Sequence, residues 1–374
     1  GIRDRLRSRV LGDVYKRQDV LYENDKYSNR LGSRITVKLD LNGVVKREVR
    51  ASEKIGSTNQ FIRNAGDFIY GKQNIEKGCF GIIPKHLDGY VSSVDIPSFK
   101  FKEGFLNYFL YYKFSNIKFY ESLKFKMEGS SSKRLHVNTF LNLPIYFPTY
   151  KEQEKVVNFF HKFEEVISLY KKKLLLLSQI KKYYLSIIFP KDNNIPEFRF
   201  KEFDKEWKQN FLGNISKIDT GNKNTEHKND NGLYPFYVCS SKIEKINSYS
   251  YDGEAILMAG SGSISRIIHY INGKFDYQQR VYKISDSSEN LKFIFYYLQT
   301  DTIKKYLLSL SQDSVINNLK LPIIKKCKLS IPCKKEQQKI VNFFSKIDTN
   351  INHFEQKIKI LKNIKNYYLQ NMFI

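Results

Sequence analysis

Residues 148–189 read PTYKEQEKVVNFFHKFEEVISLYKKKLLLLSQIKKYYLSIIF, and residues 332–373 read PCKKEQQKIVNFFSKIDTNINHFEQKIKILKNIKNYYLQNMF. The two stretches align without a gap from Pro148 on Pro332 to Phe189 on Phe373, and nearly half of the aligned positions are identical. Each closes a domain-sized segment, so the chain is organised as domain, long helix, domain, long helix. A duplicated rigid spacer between two non-identical domains suits a protein that reads two places on one extended partner.

The periodicity of each copy predicts its packing. Val156, Phe160, Phe163, Ile167, Tyr170, Leu174 and Leu177 recur at alternating spacings of four and three, as do Ile340, Phe344, Ile347, Ile351, Phe354, Ile358 and Leu361. Three heptads with one apolar seam are the pattern of a coiled coil. A helix of about 38 residues would run about 57 Å. Thr149 and Glu152 fit a capping box, of which the second copy keeps only Glu336, with Cys333 at the cap. Pro148 and Pro332 stand just outside the helices, and Pro190, Asp192-Asn193-Asn194 and Pro196 form a linker. Matching seams in one chain are expected to satisfy each other as an antiparallel intramolecular pair. Packing of each helix on its own domain, or dimerisation, is the alternative. Tyr183-Tyr184 and Tyr367-Tyr368, at the helix ends, are expected to be core contacts at the far domain, with partner contact as the alternative.

Length and composition set the frame. The chain's 374 residues suffice for two or three domains, and 41% apolar content with abundant Tyr and Phe argues for folded structure. No run of 18 apolar residues is present and no signal-peptide pattern opens the sequence, so a cytoplasmic protein is expected. Cys79, Cys239, Cys327 and Cys333 lack metal-ligand spacing and read as buried or incidental thiols. A formal charge of +25 invites a nucleic-acid partner, although a Lys-, Asn- and Ile-rich composition is also what an A+T-rich gene would encode. Residues 1–18 stand apart: Arg3, Arg5, Arg7, Arg9 and Arg17 are five of only 14 arginines. They read as a foreign or mis-assembled leader outside the fold, while the echo of Leu212-Gly213-Asn214-Ile215 in Leu11-Gly12-Asp13-Val14 keeps a native start open.

The segments 19–147 and 197–331 share punctuation. Gly66-Asp67-Phe68-Ile69 matches Gly253-Glu254-Ala255-Ile256 loosely, and residues 143–148 match 327–332. Stretches rich in Ile, Val, Tyr and Phe between Gly and Asn turns read as strands, while Asn107–Tyr120 and Leu291–Leu308 read as helices. The expected fold class is α/β: two mixed domains, each followed by a long helix, the helices pairing with pseudo-twofold symmetry. The expected boundaries are a first domain at 19–147, a spacer helix at 148–189, a linker at 190–196, a second domain at 197–331 and a second helix at 332–374.

With these residues in view, the chain resembles the specificity subunit of a type I restriction–modification system. The resemblance rests on Pro196-Glu197-Phe198-Arg199-Phe200, Trp207 and Leu212-Gly213, and on Pro-x-x-x-Glu-Gln at Pro148–Gln153 and again at Pro332–Gln337. Each Glu-Gln is followed by a long helix carrying a Tyr pair near its end. The resemblance implies that the diverged domains are target-recognition domains and the repeated helices a spacer. The implied partners are double-stranded DNA, two methyltransferase subunits and restriction–translocation subunits. S-adenosylmethionine, ATP and magnesium would sit on those partners, with no cofactor on this chain. The first domain does not open with its own Pro…Arg-Phe…Trp segment, so part of its start is expected to be missing.

Catalytic motifs are not evident. An Asn/Asp-Pro-Pro-aromatic loop for a flipped adenine and a Walker lysine loop are both lacking. Gly260-Ser261-Gly262-Ser263 lacks the lysine of a nucleotide loop and reads as a turn presenting side chains. Asp204, Glu206 and Lys208 mimic a nuclease constellation by spacing alone. Base reading favours Arg or Lys on guanine and Asn or Gln on adenine. The candidates in the first domain are Arg47, Arg50, Asn59, Gln60, Arg63, Lys72, Gln73, Asn74, Lys133 and Arg134. In the second they are Ser261, Ser263, Arg266, Gln278, Gln279, Arg280, Asn317, Asn318 and Lys320. The leading expectation is a non-catalytic DNA-binding subunit that recognises a bipartite target. The recognition part of a methyltransferase–nuclease enzyme, and a coiled-coil scaffold without a DNA role, are the rivals.

Overall fold

The computed structural model describes residues 13–28, 33–48, 59–191, 194–261, 267–310 and 319–373. It divides into two compact units, one of residues 1–170 with 357–374 and one of residues 171–356. Each unit therefore holds one variable domain and a part of both long helices.

The first unit opens with β1 (Asp13–Lys16), the short helix α1 (Arg17–Val20), β2 (Leu21–Glu23), β3 (Tyr27–Ser28), β4 (Arg34–Val37) and β5 (Val44–Arg47). β6 (Gln60–Ile62), β7 (Phe68–Tyr70), β8 (Phe80–Ile82), β9 (Val91–Ser93) and β10 (Ser98–Phe101) follow. They build a four-stranded sheet ordered β2-β10-β7-β8 and a five-stranded sheet ordered β3-β6-β9-β4-β5. α2 (Asn107–Phe114), α3 (Ile117–Ser122) and α4 (Val137–Asn142) precede β11 (Pro144–Phe147), which pairs antiparallel with β1. The main core packs Phe68, Tyr70, Phe80, Phe99, Phe114 and Phe140 together, an aromatic cluster drawn from the many Phe and Tyr residues of the chain.

The first long helix, α5 (Tyr150–Ile188), leads into the second unit. There β12 (Lys208–Phe211) and α6 (Leu212–Ile215) precede β13 (Lys217–Thr220), β14 (Tyr234–Tyr237), β15 (Glu244–Ile246), β16 (Tyr251–Ala259), β17 (Ile268–Tyr277) and β18 (Val281–Ser285). These form one six-stranded sheet ordered β13-β18-β16-β17-β14-β15, antiparallel except where β14 meets β17. α7 (Leu291–Leu298), α8 (Asp301–Ser309) and α9 (Leu321–Lys325) lie before β19 (Lys328–Ile331), which pairs with β12, and α10 (Lys334–Asn371) ends the fold.

Both helical stretches expected as single helices are broken in two, and at equivalent places. The Asn116 side chain accepts from the Phe119 amide to start α3, and the Thr300 hydroxyl accepts from the Ile303 amide to start α8. An Asn or Thr that caps a new first turn outcompetes continuation of the preceding helix.

The long helices meet antiparallel within each unit, and the repeat carries the same contacts from one unit to the other. In the first unit Phe159 packs on Tyr368, Phe160 on Phe373, and Lys365 pairs with Glu164 at 2.6 Å. In the second Phe343 packs on Tyr184, Phe344 on Phe189, and Lys181 pairs with Asp348 at 2.6 Å. Each ion pair lies beside a tyrosine of the domain helix. The Tyr296 hydroxyl donates to Asp348 at 2.9 Å, and the Lys365 ammonium stands 5.5 Å over the Tyr112 ring. Burial, with the neighbouring carboxylate of Glu164 or Asp348 adding to it, pushes both hydroxyls up and keeps them protonated. A heptad seam carries no such polar triads in its pattern. Of the tyrosine pairs expected as core contacts, Tyr184 and Tyr368 pack on Phe343 and Phe159 of the opposite long helix, whereas Tyr183 and Tyr367 face solvent.

The Glu-Gln motif has a structural use in each unit. Gln153 accepts from the Leu106 amide at 2.9 Å and donates to the Pro148 carbonyl, and Gln337 accepts from the Asn290 amide at 2.9 Å and donates to the Pro332 carbonyl. The glutamine thus ties the first turn of the long helix to the start of the domain helix. The capping-box reading of the glutamate fails in the second copy. Both carboxylate oxygens of Glu336 take the Arg199 guanidinium at 2.8 Å, and the Trp207 indole adds a third donor. This buried carboxylate anchors the lead-in segment 196–207 rather than its own helix start.

The N-terminal boundary also moves. β1 places residues 13–16 in the sheet with β11, and Arg17 is buried in the core. By strand register the counterpart of Leu212–Ile215 is Arg17–Val20, not residues 11–14, because β1 and β12 pair with equivalent residues of β11 and β19.

Candidate nucleic-acid interface

Each domain forms a cleft near the end of a central strand, and an equivalent clamp is found in both domains, its residues lining the second cleft and lying close in sequence to those that line the first. The Leu135 amide donates to the Lys72 carbonyl at 2.9 Å, and the Leu135 carbonyl accepts from the Tyr70 hydroxyl at 3.1 Å. In the other unit the Leu319 amide donates to the Gly260 carbonyl at 2.8 Å, and the Leu319 carbonyl accepts from the Tyr282 hydroxyl at 2.6 Å. The two leucines keep the register that relates the long helices and both are buried, although the tyrosines come from different strands. The clamp fixes each leucine against the strand end.

The first cleft, about 420 Å³, is lined by Gln73, Asn74, Glu76, Lys77, Lys124, Phe125, Met127, Ser132 and Lys133. Three lysines face one glutamate, so its field is positive. A bridge between Glu128 and Arg134, closed by backbone hydrogen bonds of 3.0 and 2.8 Å, displays Ser130–Lys133 on its rim. The second cleft, also about 420 Å³, is lined by Gly260, Gln279, Arg280, Tyr282, Leu319, Lys320 and Leu321. Arg280 and Lys320, both cations, carry the charge of that lining. Gly260 permits this shape, since a Cβ there would stand 2.5 Å from the Tyr282 ring and 3.0 Å from the Arg280 carbonyl.

The structure thus brings Gln73, Asn74 and Lys133 together, and Gln279, Arg280 and Lys320 together, from separate parts of the sequence. Asn59 is exposed just before β6, and Ser261 adjoins Gly260 at partial exposure. Lys72 is half-buried with its backbone held by the clamp, and Arg47 ends β5 opposite Arg34. Arg134 turns back to Asp95 at 3.3 Å and to the Ser132 carbonyl. Gln278 is spent locally, accepting from the Cys239 amide and donating to Thr225. Arg50, Ser263, Arg266, Asn317 and Asn318 lie outside the described residues.

Two expected readers are core residues instead. Gln60 is buried in β6, between Ser28 and Ser93 on the neighbouring strands. Arg63 is buried, and its guanidinium donates to Ser92, the Asn24 carbonyl, Ser98 and the Ser93 carbonyl. Burial lowers its pKa to about 10. Polarity alone flagged both, and only the fold shows that they are enclosed.

Sequence reasoning overlooked Lys77, Lys124, Phe125 and Tyr282. Lys124-Phe125-Lys126 was a legible signal, an aromatic between two cations just before the Ser-rich turn. Among the described residues no group of three His, Cys, Asp or Glu is placed to hold a metal, and no helix is long and apolar enough to cross a membrane.

A protein-family model described as the type I restriction modification DNA specificity domain matches residues 11–179 and 204–365. The specificity subunit of the type I restriction enzyme EcoDI of Escherichia coli is 30% identical over 164 residues, 43% of this chain and 36% of that protein. The aligned part therefore spans about a third of that relative's length. The specificity subunit of the type I enzyme MjaIX of Methanocaldococcus jannaschii is 24% identical over 301 residues, 72% of this chain and 69% of that one. Among solved structures, the S subunit of the type I restriction–modification system of M. genitalium matches with a TM-score of 0.63 at 14% identity, covering 98% of this chain and 97% of its own. A chain solved in a study of assembly and conformational transition of the type I system matches at 0.58 and 16% identity, covering 97% and 98%. At these identities the structural matches establish the shared fold.

Proposed function

The chain belongs to the type I restriction–modification DNA specificity family, and from that premise we propose that it is the non-catalytic subunit that selects a bipartite DNA target for its enzyme complex. One observation carries the reading. The two diverged domains each present a basic cleft and an equivalent leucine–tyrosine clamp, on helices that repeat the same paired contacts. Two reading heads of different sequence on one repeated frame fit two different half-sites separated by unread base pairs. Lys77, Lys124, Lys133, Arg280 and Lys320 supply phosphate contacts or guanine donors, and Gln73, Asn74 and Gln279 supply adenine-reading amides.

The partners are two methyltransferase subunits, joined by restriction–translocation subunits. Exposed apolar residues repeat on the long helices: Leu176 and Ile360 are each 56% exposed, and Tyr183 and Tyr367 are 60% and 58% exposed. Leu176 aligns with Ile360 and Tyr183 with Tyr367, and within each helix the two lie one heptad apart, so each helix offers the same apolar strip. Two identical partner helices would find two identical seats. Methyl donor, ATP and magnesium belong to the partners, and the residues of this chain bind and position DNA.

The test is to express the cognate methyltransferase with and without this chain in a methylation-deficient host and map methylated adenine genome-wide. A split motif that depends on the chain is expected. Co-purification of the two proteins without any split motif would refute the reading.

A further inference from the structure

The turn Leu123–Lys126 sends its side chains in opposite directions. Leu123 and, just beyond it, Met127 are buried in the core, whereas Phe125 is 79% exposed, the Lys124 ammonium standing 5.0 Å over its ring. The ring lines the cleft that also holds Gln73, Asn74 and Lys133. A phenylalanine so exposed adds little to folding, and the cations around it, Lys124, Lys126 and Lys133, suit a polyanion.

An A·T pair offers two complementary features on one major-groove edge. The adenine N6 and N7 match the amide of an Asn or Gln, and the thymine C5-methyl is an apolar contact for a side chain such as Phe. The first cleft carries both kinds of reader. Building on the proposed role in DNA recognition, we propose that Phe125 is a specificity-determining residue of the first domain that packs on the C5-methyl group of a thymine in its half-site. The amides of Gln73 and Asn74 face adenine in the same half-site. Lys124 and Lys133 hold the flanking phosphates.

The experiment uses the complex of the full chain with its methyltransferase. Once the split motif is mapped, each thymine of the motif is replaced singly by deoxyuridine in a synthetic duplex, and binding is measured at one fixed salt concentration. Removing one buried methyl group should weaken binding about fourfold at one position for the native chain. Phe125→Ala should bind more weakly to the thymine duplex and show no further loss on that deoxyuridine duplex. Because the ring is exposed, the variant should keep its unfolding temperature and its binding of the methyltransferase. A native complex indifferent to every single replacement would overturn the inference, as would a Phe125→Ala complex with the same deoxyuridine penalty as native. Loss of methyltransferase binding in Phe125→Ala with unchanged thymine discrimination would overturn it too, by making the site a protein contact. In these cases the split motif still stands, and with it the recognition reading. A failure to find any split motif would remove both.

Discussion

Arg17→Leu should stabilise the first unit. In the second unit the equivalent position is Leu212, fully buried at the start of α6. Arg17 occupies that apolar slot at 1% exposure, its guanidinium 4.5 Å from the Phe114 ring centre and 4.8 Å from that of Phe140. One hydrogen bond reaches the Phe140 carbonyl at 3.1 Å, and Nε has no partner. Among the described residues no carboxylate pairs with it. Burial lowers its pKa from the usual arginine range to about 9, which sets an upper bound of about 5 kcal/mol on the cost of keeping it charged in the fold. Against that stand cation–π contacts worth about 2 kcal/mol and a carbonyl left unpaired by the substitution, about 1 kcal/mol. Leucine also adds its own burial, about 2 kcal/mol. Discounting for relaxation, the net gain should be about 2 kcal/mol, or about 4–8 °C in Tm for a unit of this size. The assay is thermal unfolding of the full chain at pH 7, with Arg17→Ala as the control that removes the charge but leaves a cavity. The folded pKa lies below the unfolded one, so native stability rises as pH climbs from about 9 towards the unfolded value, and the advantage of leucine must shrink there. A Tm unchanged or lowered by Arg17→Leu at pH 7 would refute the reasoning.

The other expectations follow the same logic. Lys113, half-buried and bonded to the Tyr146 carbonyl at 2.9 Å, is lowered from 10.5 to about 8 by burial and then by the charge of Arg17. Its folded pKa is depressed, so native stability should rise between pH 8 and 10, and Lys113→Met should flatten that rise in a denaturant series. Glu336→Ala strands Arg199 and the Trp207 indole and should cost the second unit about 3–5 kcal/mol in denaturant unfolding; a loss below about 1 kcal/mol would contradict the anchoring role. Deleting four residues within Leu174–Ser178, with the matching four within Ile358–Lys362, removes about 6 Å of helix and should shorten the unread gap by about two base pairs while both half-sites persist. An active complex with an unchanged gap would refute the spacer. Leu176→Glu with Ile360→Glu should abolish co-purification of the methyltransferase while salt-dependent duplex binding by the chain continues; retained co-purification would displace the docking seats from this strip.

Much of the architecture was legible in the residues. The long internal repeat, the heptad seam, the prolines at the helix starts and the alternation of β-branched and aromatic stretches with Gly turns can all be read along the chain. Apart from the repeat, each depends on neighbours a few positions away, and the two long helices formed where their pattern lay, whereas the domain helices at 107–120 and 291–308 were each divided by a new cap. Leu135 and Leu319 also stand at the repeat's own offset. The structure pairs each with a carbonyl and a tyrosine hydroxyl that no spacing announces.

Tertiary structure decided how the polar residues are used. Arg63 and Gln60 look like base readers and are core groups, Glu336 looks like half of a capping box and is the anchor of a distant lead-in segment, and Arg17 looks like part of a leader and fills a leucine's slot. The clefts join residues remote in sequence, Gln73 with Lys133 and Arg280 with Lys320. Periodicity reports which face of an element is apolar, because that depends on geometry repeated along the chain. Whether a charged or amide side chain meets solvent, a ligand or an internal partner depends on which remote segment folds beside it, and the energy of burying a polar group is decided by that partner.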